Sequence, residues 1–362
     1  MPTDRLNFLD FDRSALEAYF IGSGHQRFRA EQLMKWFYHR GIRAFDGMSD
    51  LSVNLRGQLA EQMVFATPEV VERFDSTDGT IKWVVRVDNG NCVETVLIPE
   101  NGRNTLCVSS QVGCTLDCSF CSTGKQGFNG NLSTAEIVGQ VMIAKDALNE
   151  RGQSVTNVVM MGMGEPLLNY ENVLKATNLM MDDLAFGISK RRVTISTAGV
   201  VPAIYKLAEV TDVSLAISLH APTNDLRSEL VPLNRKYPIE ALLDACRHYV
   251  SGLSDKRSLT MEYTLLAGVN DQIEHARALA TLLRDVRCKV NLIPFNPWPG
   301  TTYRKPALKD TRLFQTYMMN AGYATMLRTT RGADIDAACG QLVGRVNDRT
   351  RRRERYLARV KA

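Results

Sequence analysis

The sequence predicts an α/β fold: a partial (β/α)6 barrel with a small N-terminal helical domain, a short antiparallel β extension and a basic C-terminal tail. Three observations carry this. From residue 104 onward, short apolar runs of strand type alternate with helical stretches, the sequence sign of a parallel sheet. Ahead of them a β-rich run is broken twice by turn signals, and a helical pattern precedes that. The length, 362 residues, suits one large α/β domain with an appendage.

Taken in order, residues 11–66 read as helices: "RSALEAYFIG", "RAEQLMKWFYHRG" and "VNLRGQLAEQM", separated by glycine and polar residues. Residues 69–98 read as a meander, with hairpin turns expected at Asp78-Gly79 and Asn89-Gly90. Six barrel strands follow: "NTLCVSS", "VTNVVMMGMG", "RRVTISTAG", "VSLAISLHA", "SLTMEYTLLAG" and "KVNLIPFNP". Helices are expected between them at 134–149, 170–181, 239–250 and 272–284, the first opened by a capping box of Ser133 and Glu136. A last strand is expected in "YATMLRTTRG" (323–332). The expected division is 1–68 helical, 69–99 antiparallel, 100–333 barrel and 334–362 loop and tail. Chemistry in such a barrel belongs at the carboxyl ends of its strands.

Composition is that of a globular protein, 44% hydrophobic and 23% charged, with no apolar run long enough to span a membrane. The N-terminal stretch mixes acids with apolar residues and lacks a signal-peptide core, so a cytoplasmic location is expected. Thiols stay reduced there, so eight cysteines point to metal binding or catalysis rather than disulfide staples. The net charge of +5 is unevenly spread. Residues 345–362 hold eight Lys or Arg against Asp348 and Glu354. Residues 27–43 hold Arg27, Arg29, Lys35, Arg40 and Arg43 among Phe28, Trp36, Phe37 and Tyr38. Such clusters suit a polyanion such as nucleic acid, or equally a solvated helix face with its aromatics in the core. If the tail serves RNA alone, truncating it should weaken RNA binding and leave any metal site intact.

The loop after the first barrel strand reads "GCTLDCSFCSTGKQGF", with Cys114, Cys118 and Cys121 at C-x3-C-x2-C spacing. Three thiolates suit a zinc site completed by a fourth ligand, or an iron–sulfur cluster with one iron left open. Structural zinc motifs bring paired C-x2-C units, and no second pair occurs here. Polar groups follow at successive strand ends: Glu165 in "MGMGEP", whose glycines let the backbone approach a ligand closely, Ser196 in "TISTAG", Ser218 and His220 in "AISLHAP", and Asn296 in "IPFNPWPG". Singly each suits a turn or cap; together they share one face of the predicted barrel, which points to a ligand site.

These motifs resemble the radical S-adenosylmethionine (SAM) superfamily, whose signature is this cysteine spacing with an aromatic residue, here Phe120, before the last cysteine. The resemblance implies one [4Fe-4S] cluster on Cys114, Cys118 and Cys121, with SAM on the open iron. It implies SAM contacts from Gly164, Glu165, Ser196, Ser218, Leu219, His220 and Asn296. "CVETVLIP" (92–99) and "RGADIDAACGQL" (331–342) resemble the RlmN/Cfr branch, radical SAM methyltransferases acting on RNA adenosines, and the similarity covers essentially the whole chain.

What that branch implies is specific. Cys339 would carry a methyl group from a first SAM as a thioether, and a second SAM would supply the radical. Glu94 would accept the C2 proton, and Cys107 would release the product through a transient disulfide with Cys339. The partners implied are 23S rRNA, tRNA and an electron donor such as flavodoxin or ferredoxin, with no membrane. Without the resemblance, Cys107 and Cys339 read as buried inert thiols and Glu94 as an exposed strand acid. Cys92, Cys246 and Cys288 match no role. C8 methylation of the rRNA adenosine, as by Cfr enzymes, and a non-catalytic zinc-containing RNA-binding protein remain the alternatives.

Overall fold

A computed structural model describes residues 5–87, 90–253, 255–346 and 350–361. Three helices open the chain: α1 (Arg13–Gly22), α2 (Phe28–Met34), which runs into a π turn at Lys35–His39, and α3 (Val53–Gln62). Asp12 and Ser52 start α1 and α3 by accepting from the backbone N–H groups of Ala15 and Leu55. Phe8, Trp36, Phe37, Tyr38 and Phe45 are buried here, while Arg40 lies over the Trp36 ring at 3.9 Å. The aromatics of the basic stretch therefore belong to the core, Phe28 excepted, and its arginines lie outside.

Ten strands form one sheet: β1 (Glu69–Asp75), β2 (Ile81–Arg86), β3 (Cys92–Glu100), β4 (Arg103–Cys107), β5 (Asn157–Met160), β6 (Val193–Thr197), β7 (Ser214–Ser218), β8 (Leu259–Leu265), β9 (Cys288–Pro294) and β10 (Thr325–Leu327). They lie side by side in chain order, antiparallel from β1 to β4 and parallel from β4 to β10. The turn expected at Asp78-Gly79 joins β1 to β2, with Gly79 at φ 86°. At the second turn Gly90 has φ 79°, while Asn89 lies outside the described residues. The antiparallel extension is thus continuous with the barrel sheet, through β3 paired to β4. Among the described residues the two outer strands β1 and β10 are not paired to each other.

Val158, Val193, Ile195, Leu215, Ile217, Met261 and Val290 are buried along the parallel strands, as a sheet covered on both faces requires. The covering helices include α4 (Thr134–Asn149), α5 (Tyr170–Met181), α6 (Val201–Val210), α7 (Asn224–Leu230), α8 (Ile239–Ser251), α9 (Ile273–Leu282) and α10 (Leu308–Asn320). The capping box is present: Ser133 Oγ accepts from Glu136 N at 3.1 Å and Glu136 Oε2 from Ser133 N at 2.8 Å. The N-terminal helices dock on α4, where Pro68 sits over Gly139, Asp10 accepts from Ala135 N at 2.8 Å and Lys145 Nζ donates to Tyr38 O at 2.8 Å. A last helix, α11, spans Arg352–Lys361. Among the described residues no helix is long and apolar enough to cross a membrane.

The last strand is shorter than its ten-residue sequence run. Thr330 and Gly332 leave the sheet because Thr330 Oγ1 donates to Asn296 Oδ1 at 2.9 Å and Gly332 N to Asp78 Oδ2 at 3.0 Å. This bends the chain back across the strand ends and aims residues 333–342 at the site.

Candidate active site

Two cavities adjoin at the carboxyl ends of the strands. The larger encloses about 1030 Å³ of empty space and is walled by Cys114, Cys118, Cys121, Gly164, Glu165, Ser196, Ser218, His220, Asn296 and Cys339. The second, about 550 Å³, is lined by Cys107, Asn296, Arg328 and again Cys339. Cys339 therefore stands where the two meet. Leu219 and Glu94 line neither. The Leu219 side chain is in the core, and its carbonyl accepts from Arg227 Nε at 3.1 Å.

The cysteine loop is closed by Cys114 N donating to Gly127 O at 3.0 Å. Only glycine fits at position 113: its φ is 70°, and a Cβ there would lie 1.8 Å from Gly127 O. Burial pushes the Cys114 thiol well above its usual pKa, and Cys118 and Cys121 add to that. Three crowded thiols call for a cationic centre that takes them as thiolates. Among the described residues no three His, Cys, Asp or Glu side chains converge on a single ion. Three thiols lining one cavity suit the donor set of an iron–sulfur cluster with space beside it for a further ligand.

Opposite the loop, Glu165 is buried, with Oε1 accepting from Leu167 N at 3.1 Å and Oε2 from Ala198 N at 2.8 Å. Burial raises its pKa, opposed by hydrogen bonds from Ala198, Thr197 and Leu167, and the residue lines the cavity. A Cβ on Gly164 would come within 2.5 Å of Gln111 Cβ, so a bare backbone is required there. His220 Nδ1 accepts from Thr264 N at 3.0 Å, which fixes the ring's proton on Nε2. Burial, helped by Arg227, lowers its pKa to about 3, so the ring is a neutral donor, packed on Phe120 at 4.8 Å.

Two residues of this wall escaped the sequence reading. Arg227 is fully buried and ties two strand ends together, donating to Ala198 O at 2.6 Å and Ser218 O at 3.1 Å as well as to Leu219 O. Burial lowers its pKa to about 10, so it stays charged beside the thiols. Glu262 points inward from β8 and is held by Asn291 Nδ2 at 2.9 and 3.1 Å. The run "LTMEYTL", an acid among apolar residues in a strand, was its signal; Arg227 left none.

The Cys339 loop is bonded to the cysteine loop by Ser122 N to Gly340 O at 2.9 Å and Thr123 Oγ1 to Leu342 O at 2.6 Å. Glu94 is buried, not an exposed strand acid. Val96 pairs with Cys107, so Glu94, two residues along β3, shares that face of the sheet. Its carboxylate accepts from Val343 N at 3.0 Å and pairs with the buried Lys82 Nζ at 3.3 Å. Glu94 is thus one hydrogen bond from the Cys339 loop without facing the cavity.

The tail differs from a purely outward basic arm. Arg352 turns inward and donates through Nη1 to Leu116 O and Gly124 O, each at 3.0 Å, and to Cys114 O at 3.4 Å. Tyr356 Oη donates to Gly300 O at 3.0 Å, and Lys125 lies 5.0 Å from its ring. The helix therefore straps the cysteine loop, while Arg351, Arg353 and Arg355 are exposed.

Comparison with known proteins decides the family. The ribosomal RNA large subunit methyltransferase N-terminal domain matches residues 6–65, and the radical SAM superfamily matches residues 108–280. The chain is 61% identical to a dual-specificity RNA methyltransferase RlmN from Marinobacter nauticus, over 98% of this chain and 97% of that one. This chain belongs to the RlmN family. A second RlmN, from Pseudomonas putida, is 56% identical over 98% of this chain and 94% of its own length. A crystal structure of a radical SAM methyltransferase from Sphaerobacter thermophilus superposes with a TM-score of 0.86 at 42% identity, covering 93% of this chain and 99% of that one. As an RlmN-family protein the chain is a radical SAM methyltransferase, with a [4Fe-4S] cluster and SAM as its cofactors.

Proposed function

We propose that this protein methylates C2 of an adenosine in the peptidyl transferase centre of 23S rRNA and of the adenosine beside the anticodon in tRNAs, giving 2-methyladenosine. The dual specificity named for the relatives supports both substrates. The observation that carries the reading is the position of Cys339 between the two cavities, with the cysteine triad and Glu165 on one side and Cys107 on the other.

C2 of adenine is electron-poor, so it does not attack a methyl donor as a nucleophile does. When bound, the cluster and two SAM molecules per turnover supply a methyl group and a 5′-deoxyadenosyl radical. Cys114, Cys118 and Cys121 hold the cluster, while Glu165 accepts from the SAM amino group. Gly164, Ser196, Ser218, His220 and Asn296 take the rest of SAM, and Leu219 holds its stretch of backbone in place. Cys339 accepts the methyl group as a thioether. A hydrogen atom passing from the Cys339 S-methyl group to the 5′-deoxyadenosyl radical would leave an S-methylene radical, whose addition to C2 would join the Cys339 side chain to the RNA; the adduct's unpaired electron would return to the oxidised cluster as C2 loses its proton. Glu94 removes the C2 proton once that carbon is tetrahedral, turning from Val343 N toward the cavity. Cys107 attacks the Cys339 sulfur, and the transient disulfide releases methylated RNA.

Residues 1–68 serve as an accessory RNA-binding unit, 69–99 place Glu94, 100–333 hold the cofactors, and 334–362 carry Cys339 and the strap. Flavodoxin or ferredoxin supplies the electron, and the reaction takes place in the cytoplasm. Reconstituted enzyme with SAM, reductant and unmodified RNA is expected to yield 2-methyladenosine by mass spectrometry against nucleoside standards. Recovery of 8-methyladenosine instead would overturn the C2 assignment.

A further inference from the structure

We propose that Arg328 is a positioning residue for both reactive cysteines, holding first Cys339 and then Cys107 as thiolate in the cavity they share. This rests on the reading of those two cysteines given above. Arg328 follows β10, where its N–H donates to Leu292 O at 2.8 Å and fixes the backbone at the strand end. Its guanidinium lines the same cavity as Cys107 and Cys339. It is half-buried, and among the described residues it makes no side-chain hydrogen bond or ion pair. A desolvated guanidinium keeps its charge, so it calls for an anion in that cavity.

Other charged groups act on it too: Glu262 and Glu100 each raise its pKa, though less than Cys339 does. Glu262, on β8, has both carboxylate oxygens on Asn291. Arg331, at the rim, leans toward Asp78 at 3.9 Å. Glu100, at the end of β3, is engaged by Arg103. Of the groups able to become anions, the two sulfurs are those that line this cavity with Arg328. Cys339 is the strongest influence on Arg328 and raises its pKa above the ordinary value. Burial, reinforced by Cys339, pushes the Cys107 thiol to about 12, and Arg328 opposes that. At a pKa near 12 about one Cys107 in 10⁵ is thiolate at neutral pH, so a nearby cation matters to any step it performs.

One guanidinium can serve two steps because they alternate. In the first, the Cys339 sulfur bonds to the methyl carbon as the sulfonium–methyl bond of SAM breaks, and that electron pair stays on the departing sulfur. Cys339 becomes a neutral thioether, which frees Arg328 for Cys107. In the release step Cys107 bonds to the Cys339 sulfur, and the bond from that sulfur to the linking carbon breaks. The electron pair goes to the carbon, which takes up a proton equivalent to the one Cys107 lost. Two sulfurs are oxidised to a disulfide and the carbon is reduced to a methyl group, so electrons balance.

The test is the pH dependence of iodoacetamide alkylation, read peptide by peptide on unmodified cysteine in holoenzyme from about pH 6 to 10. In Arg328→Gln alkylation of Cys107 is expected to slow about tenfold or more throughout this range, and that of Cys339 to slow with it, with Arg328→Lys staying close to wild type. Iron content and the melting temperature of both variants serve as controls for intact structure. Profiles of Arg328→Gln that superpose on wild type would overturn the proposal. Incubating wild-type holoenzyme with SAM tests the functional reading separately. A Cys339 peptide that gains no methyl group sinks that reading, while the alkylation shift still decides the role of Arg328.

Discussion

His220 adopts φ 60°, a conformation most side chains avoid, because both its ends are held: Nδ1 by Thr264 N and its carbonyl by Asn270 Nδ2 at 2.8 Å. With its pKa lowered to about 3 by burial, the folded protein keeps the ring neutral while the unfolded chain protonates it below about 6.5. The sign follows: this contribution is whole above about pH 6.5 and is lost as pH falls toward 3. Between pH 6.5 and 5 wild type should lose about 2 kcal/mol more stability than His220→Asn, a residue that tolerates this φ. Parallel denaturation curves for the two would refute it. For Cys107→Ala the expected outcome is a covalent protein–RNA adduct on gels, because no thiol remains to release Cys339; an intact cluster with no cross-link would count against the mechanism. Residue types differed in how far the sequence exposed them. The cysteines, Glu165 and His220 stood in short motifs with unusual composition. Arg227, Lys82 and Arg328 are ordinary surface types, and only the folded chain shows them buried or half-buried at the site.

At the scale of elements, start signals were legible because they are local. Ser133 with Glu136 opens α4, and Asp78-Gly79 turns β1 into β2. The truncation of β10 was not legible, because its cause is a contact between Gly332 and Asp78, 254 residues apart in sequence. The same holds for α11, whose arginines look alike in sequence although Arg352 turns inward to satisfy carbonyls of the cysteine loop. Tail truncation is therefore expected to disturb the cluster as well as RNA binding, unlike the expectation from charge alone. Arg352→Ala should lose iron to a chelator several-fold faster than wild type, because three loop carbonyls are left unpaired. Arg355→Ala, whose side chain among the described residues bonds to Arg351 O and Thr350 O, should not. Equal loss rates in all three proteins would rule out a strap.

For the molecule as a whole, the parallel direction of the barrel strands followed from the alternation of strands and helices. The continuity of the antiparallel extension with the barrel did not, because hairpin signals place a turn without naming the sheet edge that receives it. That continuity puts Glu94 and Cys107 on one face, which no spacing in the chain suggests. The N-terminal helices dock on α4 partly through Arg43 with Asp146 at 2.6 Å, and leave the Arg27 and Arg29 region outside. If that region meets RNA phosphates, replacing both arginines by alanine should reduce the slope of log affinity against log salt by roughly 1.4 to 1.8. An unchanged slope would remove those residues from the interface. The central claim is that Cys339 carries the methyl group to adenine C2 in both RNAs. Cells lacking the gene and complemented with Cys339→Ala test it most directly, by nucleoside mass spectrometry of 23S rRNA and tRNA. The account predicts no 2-methyladenosine in either RNA, restored by the wild-type gene; 2-methyladenosine at wild-type levels in the Cys339→Ala strain would contradict it.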